Sequence, residues 1–149
     1  MKLLLFSDLH CNLPQAAALV EQSREVDVLV GAGDFGNCRR GLQTTIDALS
    51  AIDRPTVLVA GNAESIEELR AACGCWSTAI PLHGESVVID DVPFFGLGCA
   101  IPETPFGDWS WDHSESAAAA WLEGAPIGGV LVSHSPPKGT LDCDSGRRS

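Results

Sequence analysis

Short apolar runs alternate along this chain with longer segments whose apolar positions recur at helical spacing. The first run, Lys2 to Phe6, predicts a strand. It leads into a helix that starts near Pro14, where proline suits a first turn, and reaches about Glu25. Asp27 to Gly31 predicts a second strand, followed by a helix from about Arg39 to Ala51, and Pro55 to Ala60 predicts a third. Ser65 with Glu68 three residues later forms a capping box for a helix running to about Cys73. Beyond it, Val87 to Ile89 and Val92 to Leu97 alternate around Asp90-Asp91 and predict an antiparallel hairpin. Gly98 to His113 is a long loop bearing Pro, Gly and Trp, Ser114 to Glu123 a helix, and Gly129 to Ser133 a buried strand. Strand and helix in alternation predict an α/β fold of parallel β-α-β units. There is no internal repeat and no low-complexity linker.

Length and composition agree with one domain over 1–149, since 149 residues with 45% hydrophobic content can enclose a core. The net charge of −11 sets most of the surface against duplex nucleic acid. No stretch approaches the roughly 20 apolar residues of a membrane span, and Leu3 to Phe6 is too short for a secretion signal. Six scattered cysteines, including Cys73-Gly74-Cys75, show no zinc spacing and read as reduced thiols of a cytoplasmic protein. The sequence leaves the oligomeric state open.

Chemistry enters where the apolar runs stop. Asp8 and His10 follow the first strand, Asp34 the second, Asn62 the third and His134 the last. In an open α/β sheet the carboxyl ends of strands form one rim, so donors far apart in sequence can meet there. Asp, His and Asn are oxygen and nitrogen donors suited to divalent ions. Two such ions roughly 3.5 to 4 Å apart, bridged by a carboxylate, form a clamp for displacement at phosphorus. Asp34 is the natural bridge. A competing pattern, Gly31-Ala32-Gly33-Asp34-Phe35-Gly36 with Asp53 downstream, fits dinucleotide binding in spacing. It follows the second strand instead of the first, and Asp34 would oppose a pyrophosphate.

The series Asp8-Leu9-His10, Gly33-Asp34, Gly61-Asn62 and Ser133-His134 resembles the calcineurin-like metallophosphoesterase superfamily. The stretches Gly33 to Asn37, Phe95 to Gly98 and His134 to Gly139 look like a small prokaryotic subgroup of it. The resemblance implies layered β-sheet with flanking helices, and two divalent metal ions, whether manganese, iron, zinc or nickel. Asp8 and His10 would hold the first ion, Asn62 and His134 the second, and Asp34 both. It implies hydrolysis of a small phosphate ester, diesters preferred, by water activated between the ions, with Asn62 and His134 also in catalytic roles. Glu64 would orient a loop or a ligating histidine.

Two features depart from the family pattern. Members carry Gly-Asn-His, the histidine protonating the leaving group, where this chain has Gly61-Asn62-Ala63. In a complete version of the protein, Ala63→His is then expected to raise turnover of substrates with poor leaving groups more than that of a nitrophenyl diester. Members also end on a Gly-His-x-His element, which nothing after His134 matches. The chain therefore reads as the N-terminal and central part of such a domain, C-terminally truncated, with each ion one nitrogen ligand short. Asp142 to Ser149 would be a loop, and the strand at Gly129 to Val132 would lack a neighbour or expose an apolar side. The alternative is a binding or scaffold protein that keeps this fold with weakened catalysis.

Weaker candidates surround the rim. Arg39, Arg40 or Lys138 could grip a phosphate oxygen, though the arginines equally suit a solvated helix face. His83 and His113 read as loop and capping residues, Trp121 as core, and Trp109 and Trp111 with Phe106 as loop packing in preference to a lid.

Overall fold

The computed structural model describes residues 1–140 together with the backbone of 143–144 and 147–148. Four parallel strands form the first sheet in sequence order: β1 (Leu3–Phe6), β2 (Val28–Gly31), β3 (Thr56–Leu58) and β4 (Ala79–Pro81). Helices α1 (Leu13–Gln22), α2 (Leu42–Leu49) and α3 (Ile66–Ala72) link them. Asn12 caps α1, and Ser65 with Glu68 closes the expected capping box on α3. The second sheet is the antiparallel pair β5 (Glu85–Ile89) and β6 (Val92–Leu97), with β7 (Val130–Ser133) parallel to β6. Helix α4 (Glu115–Leu122), capped by Ser114, lies against β6. The layered α/β architecture expected from the sequence is therefore present.

The two-residue period of the strands splits the core into two layers. Leu29 and Leu58 face the helices and pack with Leu19, Ile46, Leu49 and Leu69. Their neighbours Val28, Val30, Val57 and Val59 face the second sheet and meet Phe94 and Val132. All four residues of β2 are buried, as for a strand covered on both faces.

Several boundaries differ from the sequence expectation. Helix α2 starts at Leu42, not Arg39, because Asn37 and Arg40 pair in a tight reversal with Cys38 and Arg39 in left-handed conformation. That reversal also disposes of the dinucleotide reading, which needs a helix to open directly from the glycine turn. Strand β4 was not expected at all. Cys143–Asp144 and Arg147–Arg148 form a short antiparallel ladder where a loop was expected, and the remainder of that loop lies outside the described residues.

Among the described residues no strand pairs with the outer edge of β7, where Leu131 is 51% exposed, and Leu5 on edge strand β1 is 67% exposed. This is the apolar edge expected there. Among the described residues no helix is long and apolar enough to cross a membrane.

His83, expected as a loop residue, joins β4 to the long loop and to α4. Its Nδ1 accepts the Gly98 N–H at 3.2 Å, while its ring packs against Trp111, His113 and Trp121. An Nδ1 that accepts must be unprotonated. Burial pushes the His83 pKa down; His113 and Arg70 push the same way and Glu67 and Glu85 oppose. Because the folded chain releases this proton at lower pH than the unfolded chain, stability from His83 is complete above 6.5 and is lost as pH falls toward the folded value. Chemical denaturation from pH 7.5 to 5 is expected to show this acid weakening, with a flatter profile for His83→Phe.

Candidate metal centre

Phe6, Gly31 and Leu58 are partners in one row across β1, β2 and β3, so the loops after these strands leave the sheet at the same level. Ser133 ends β7 opposite Leu97 of β6 and delivers His134 from the second sheet. The loops are then bonded to one another. Asp8 N–H donates to the Gly33 carbonyl (2.9 Å), His10 N–H to Asp34 (3.0 Å) and Cys11 N–H to Phe35 (3.0 Å).

This ladder holds unusual backbone. Asp8, His10 and Asp34 have φ of 54°, 43° and 57°. Left-handed conformation in residues other than glycine costs on the order of 1 kcal/mol or more each and is kept where surroundings enforce it. Gly33 and Gly61 permit the loops to approach. A Cβ on Gly33 would stand 2.7 Å from His134 Nδ1, and one on Gly61 would collide with Asp34.

Glu64 fastens the second and third loops from beneath. It is 1% exposed, and its carboxylate accepts the N–H groups of Phe35 (3.3 Å), Gly36 (3.0 Å) and Gly61 (3.0 Å). Burial pushes its pKa up, the Gly61 and Gly36 N–H bonds pull it down, and the nearby Asp34 pushes it up again. Of the two roles expected for Glu64, it takes loop orientation, and among the described residues it makes no hydrogen bond to a histidine.

Donor atoms of Asp8, His10 and Asp34 lie within 4.8 Å of one another. Asp34, 6% exposed, lies at the middle of the group. His10 Nε2 is 3.6 Å from its Oδ2 and His134 Nε2 is 3.7 Å from its Oδ1, which also accepts the Ala63 N–H at 2.9 Å. The opposite nitrogen of each ring meets a backbone carbonyl, His10 Nδ1 at Gly36 (3.3 Å) and His134 Nδ1 at Ala32 (2.7 Å). A carbonyl only accepts, so each Nδ1 carries a proton and each ring turns its Nε2 edge toward the Asp34 carboxylate. A divalent cation suits this arrangement, since imidazole–carbonyl bonds are those that orient metal-binding histidines. The donors fit the group implied by their chemistry.

The sequence profile of the calcineurin-like phosphoesterase superfamily domain matches residues 1–95. This chain belongs to that superfamily. It is a family of divalent-metal-dependent phosphoester hydrolases, and Asp8, His10, Asp34 and Asn62 fall inside the matched span. Solved structures share the fold, among them two at 16% identity. One superimposes with a TM-score of 0.75 at 16% identity, covering 99% of this chain and 74% of its own. The other, TT1561 of Thermus thermophilus, has a TM-score of 0.70 at 16% identity over 81% of this chain and 60% of its own. No curated protein matches significantly.

The remaining expected site residues are placed differently. Asn62 occupies the rim after β3, buried, with its amide nitrogen on Ser110 Oγ at 2.9 Å. Arg39, expected to bind substrate, has its guanidinium engaged by Glu68 and by the Trp109 carbonyl (2.6 Å). It clips the long loop onto α3. Lys138 is exposed beyond Pro137, without an ion pair among the described residues. Trp109 stacks on Phe106, whereas Trp111 packs into the core.

Sequence reasoning missed Ser110, Asp112 and Thr104, whose side chains bond to one another beside Asn62. Ser, Thr and Asp in a loop carry no spacing signal that could have singled them out.

Proposed function

We propose that this superfamily member hydrolyses small phosphate esters, diesters in preference to monoesters, with two divalent cations at the rim. Asp8 and His10 would hold one, Asn62 and His134 the other, and Asp34 both. The observation that carries the reading is the pair of imidazole Nε2 atoms converging on the buried Asp34 carboxylate. When bound, divalent ions supply Lewis acidity and make a water nucleophile available near neutral pH. Manganese, iron, zinc and nickel all suit these donors.

The chain's own residues supply placement. The Ala32 and Gly36 carbonyls hold the two rings in one orientation, and Glu64 holds the loops bearing Asp34 and Asn62 in register. Lys138, exposed and without an ion pair among the described residues, is the proposed phosphate contact. The −11 net charge favours a small ester over duplex nucleic acid. A cytoplasmic setting fits the free thiols of Cys11, Cys38, Cys73, Cys75 and Cys99. The reading is tested by assaying the chain with manganese and a chromogenic nitrophenyl phosphodiester. Turnover that chelator abolishes and manganese restores supports it, and metal uptake without turnover favours the binding or scaffold alternative.

Ala63 supplies the observation behind that alternative. Its side chain is 2% exposed, its carbonyl accepts from Arg39 N–H, and Trp111 N–H bonds the adjacent Asn62 carbonyl. The site carries a methyl group at this position, where the family pattern has a proton-donating imidazole. Ala63→His in a complete version of the protein is expected to raise turnover of substrates with poor leaving groups more than that of a nitrophenyl diester, and equal effects on both would place position 63 away from the leaving group.

A further inference from the structure

An asparagine can serve a cation only through its carbonyl oxygen, yet oxygen and nitrogen of the amide differ little in size, so neighbouring groups must select the orientation. At Asn62 the neighbours leave one choice. The Ser110 hydroxyl donates to Asp112 Oδ1 through a very short bond. The Thr104 hydroxyl and the Thr104 N–H both donate to Asp112 Oδ2, each at 2.7 Å. A carboxylate only accepts, so both hydroxyl protons are committed to Asp112. Ser110 Oγ then has only lone pairs to offer, and only the NH₂ end of Asn62 can face it, as found at 2.9 Å. The other end, Oδ1, has no hydrogen bond among the described residues.

Asp112 suits this role because its hydrogen bonds outweigh the effect of burial and hold its pKa below the ordinary value. The loop is anchored on both sides of Asn62. Trp111 N–H donates to the Asn62 carbonyl at 3.0 Å, and the Arg39 guanidinium holds the Trp109 carbonyl.

We propose that Ser110, locked by Asp112 and Thr104, is a positioning residue that fixes the flip of the Asn62 amide and thereby keeps its carbonyl oxygen available to a divalent cation. The proposal rests on the reading of Asn62 as a metal ligand. Asp112 decides where the Ser110 proton points, and the Ser110 proton decides which end of the amide faces the rim.

The test is manganese(II) binding by calorimetry on the full chain, with melting in chelator as the control for folding. Ser110→Ala and Asp112→Asn should each weaken one of the manganese sites about 10–100-fold, the range for losing an outer partner of a metal ligand. Ser110→Thr, which keeps the hydroxyl, should stay near the parent. The decisive arm uses Asn62→Asp, whose two oxygens are equivalent and cannot be presented the wrong way round. In that background the Ser110 lone pair opposes the new carboxylate, and Asp112→Asn frees the Ser110 proton to donate to it. Asp112→Asn should therefore leave manganese affinity unchanged or raise it there, reversing its effect on the parent. A structural role alone would weaken binding in both backgrounds. Equal weakening in both, or parental affinity in Ser110→Ala, overturns the proposal and leaves the metal reading intact. A parent chain that takes up no manganese overturns the metal reading, and the proposal with it.

Discussion

Asp34→Asn is expected to abolish metal-dependent turnover and to weaken every bound divalent ion, whereas Asp8→Asn should weaken mainly one. The difference follows from position. Asp34 lies between His10 Nε2 and His134 Nε2, whereas Asp8 groups with His10 and Asp34 on one side and its side chain is 57% exposed. Asparagine preserves the carbonyl that accepts the Ala63 N–H, so folding should survive the change. It replaces the other oxygen by a donor and removes the negative charge that two cations would share. The loss should exceed the roughly 10–100-fold that follows removal of an outer partner. Metal content and turnover of a nitrophenyl phosphodiester, measured at saturating manganese, check it. Near-parental turnover in Asp34→Asn would sink the assignment of a shared carboxylate.

Glu64→Gln should show the largest stability loss of any near-isosteric change in this chain. The parent carboxylate receives three backbone N–H groups and offers nothing but acceptors. Glutamine keeps one oxygen and turns an NH₂ toward a buried N–H, so at least one donor loses its partner and faces another donor. Stranding a buried donor costs about 1–3 kcal/mol, and more where the partner carried charge. A loss of about 3 kcal/mol would lower Tm by about 6–12 °C in a chain of this size. Because Glu64 ties the Asp34 loop to the Gly61 loop, manganese affinity should fall in parallel. A variant that melts with the parent would show that these bonds do not hold the loops.

These two residues differ in how plainly the sequence displayed them. Asp34 was legible because it stands at a strand exit within an ordered series, Asp8, His10, Asp34, Asn62 and His134, and apolar runs mark strand exits well. Glu64 was legible as a neighbour of the site but not as its fastening. Its partners, Phe35 and Gly36, are separated from it by 29 and 28 positions, and backbone N–H groups leave no mark in a sequence. Arg39 shows the opposite error. A cation beside a metal loop suggests a phosphate contact, yet Glu68 and the Trp109 carbonyl, distant in sequence, had already engaged it.

The same division runs through the fold. Strands β1, β2 and β3 and the capping box of α3 were readable because each depends on residues within a few positions of one another. Strand β4 was not, since Ala79-Ile80-Pro81 carries no alternation and is a strand only through pairing with Thr56, Val57 and Leu58. By itself, then, the sequence determined the α/β class and the order of the candidate ligands, because hydrophobic periodicity and strand-end placement are local properties. The tertiary structure alone decided which donors meet, which carbonyl orients each histidine, which groups engage Arg39, and that Ser110 meets the Asn62 amide. Each of those outcomes depends on hydrogen-bond partners brought together from distant parts of the chain, and a proton's direction is set by the acceptor it finds, not by its neighbours in sequence.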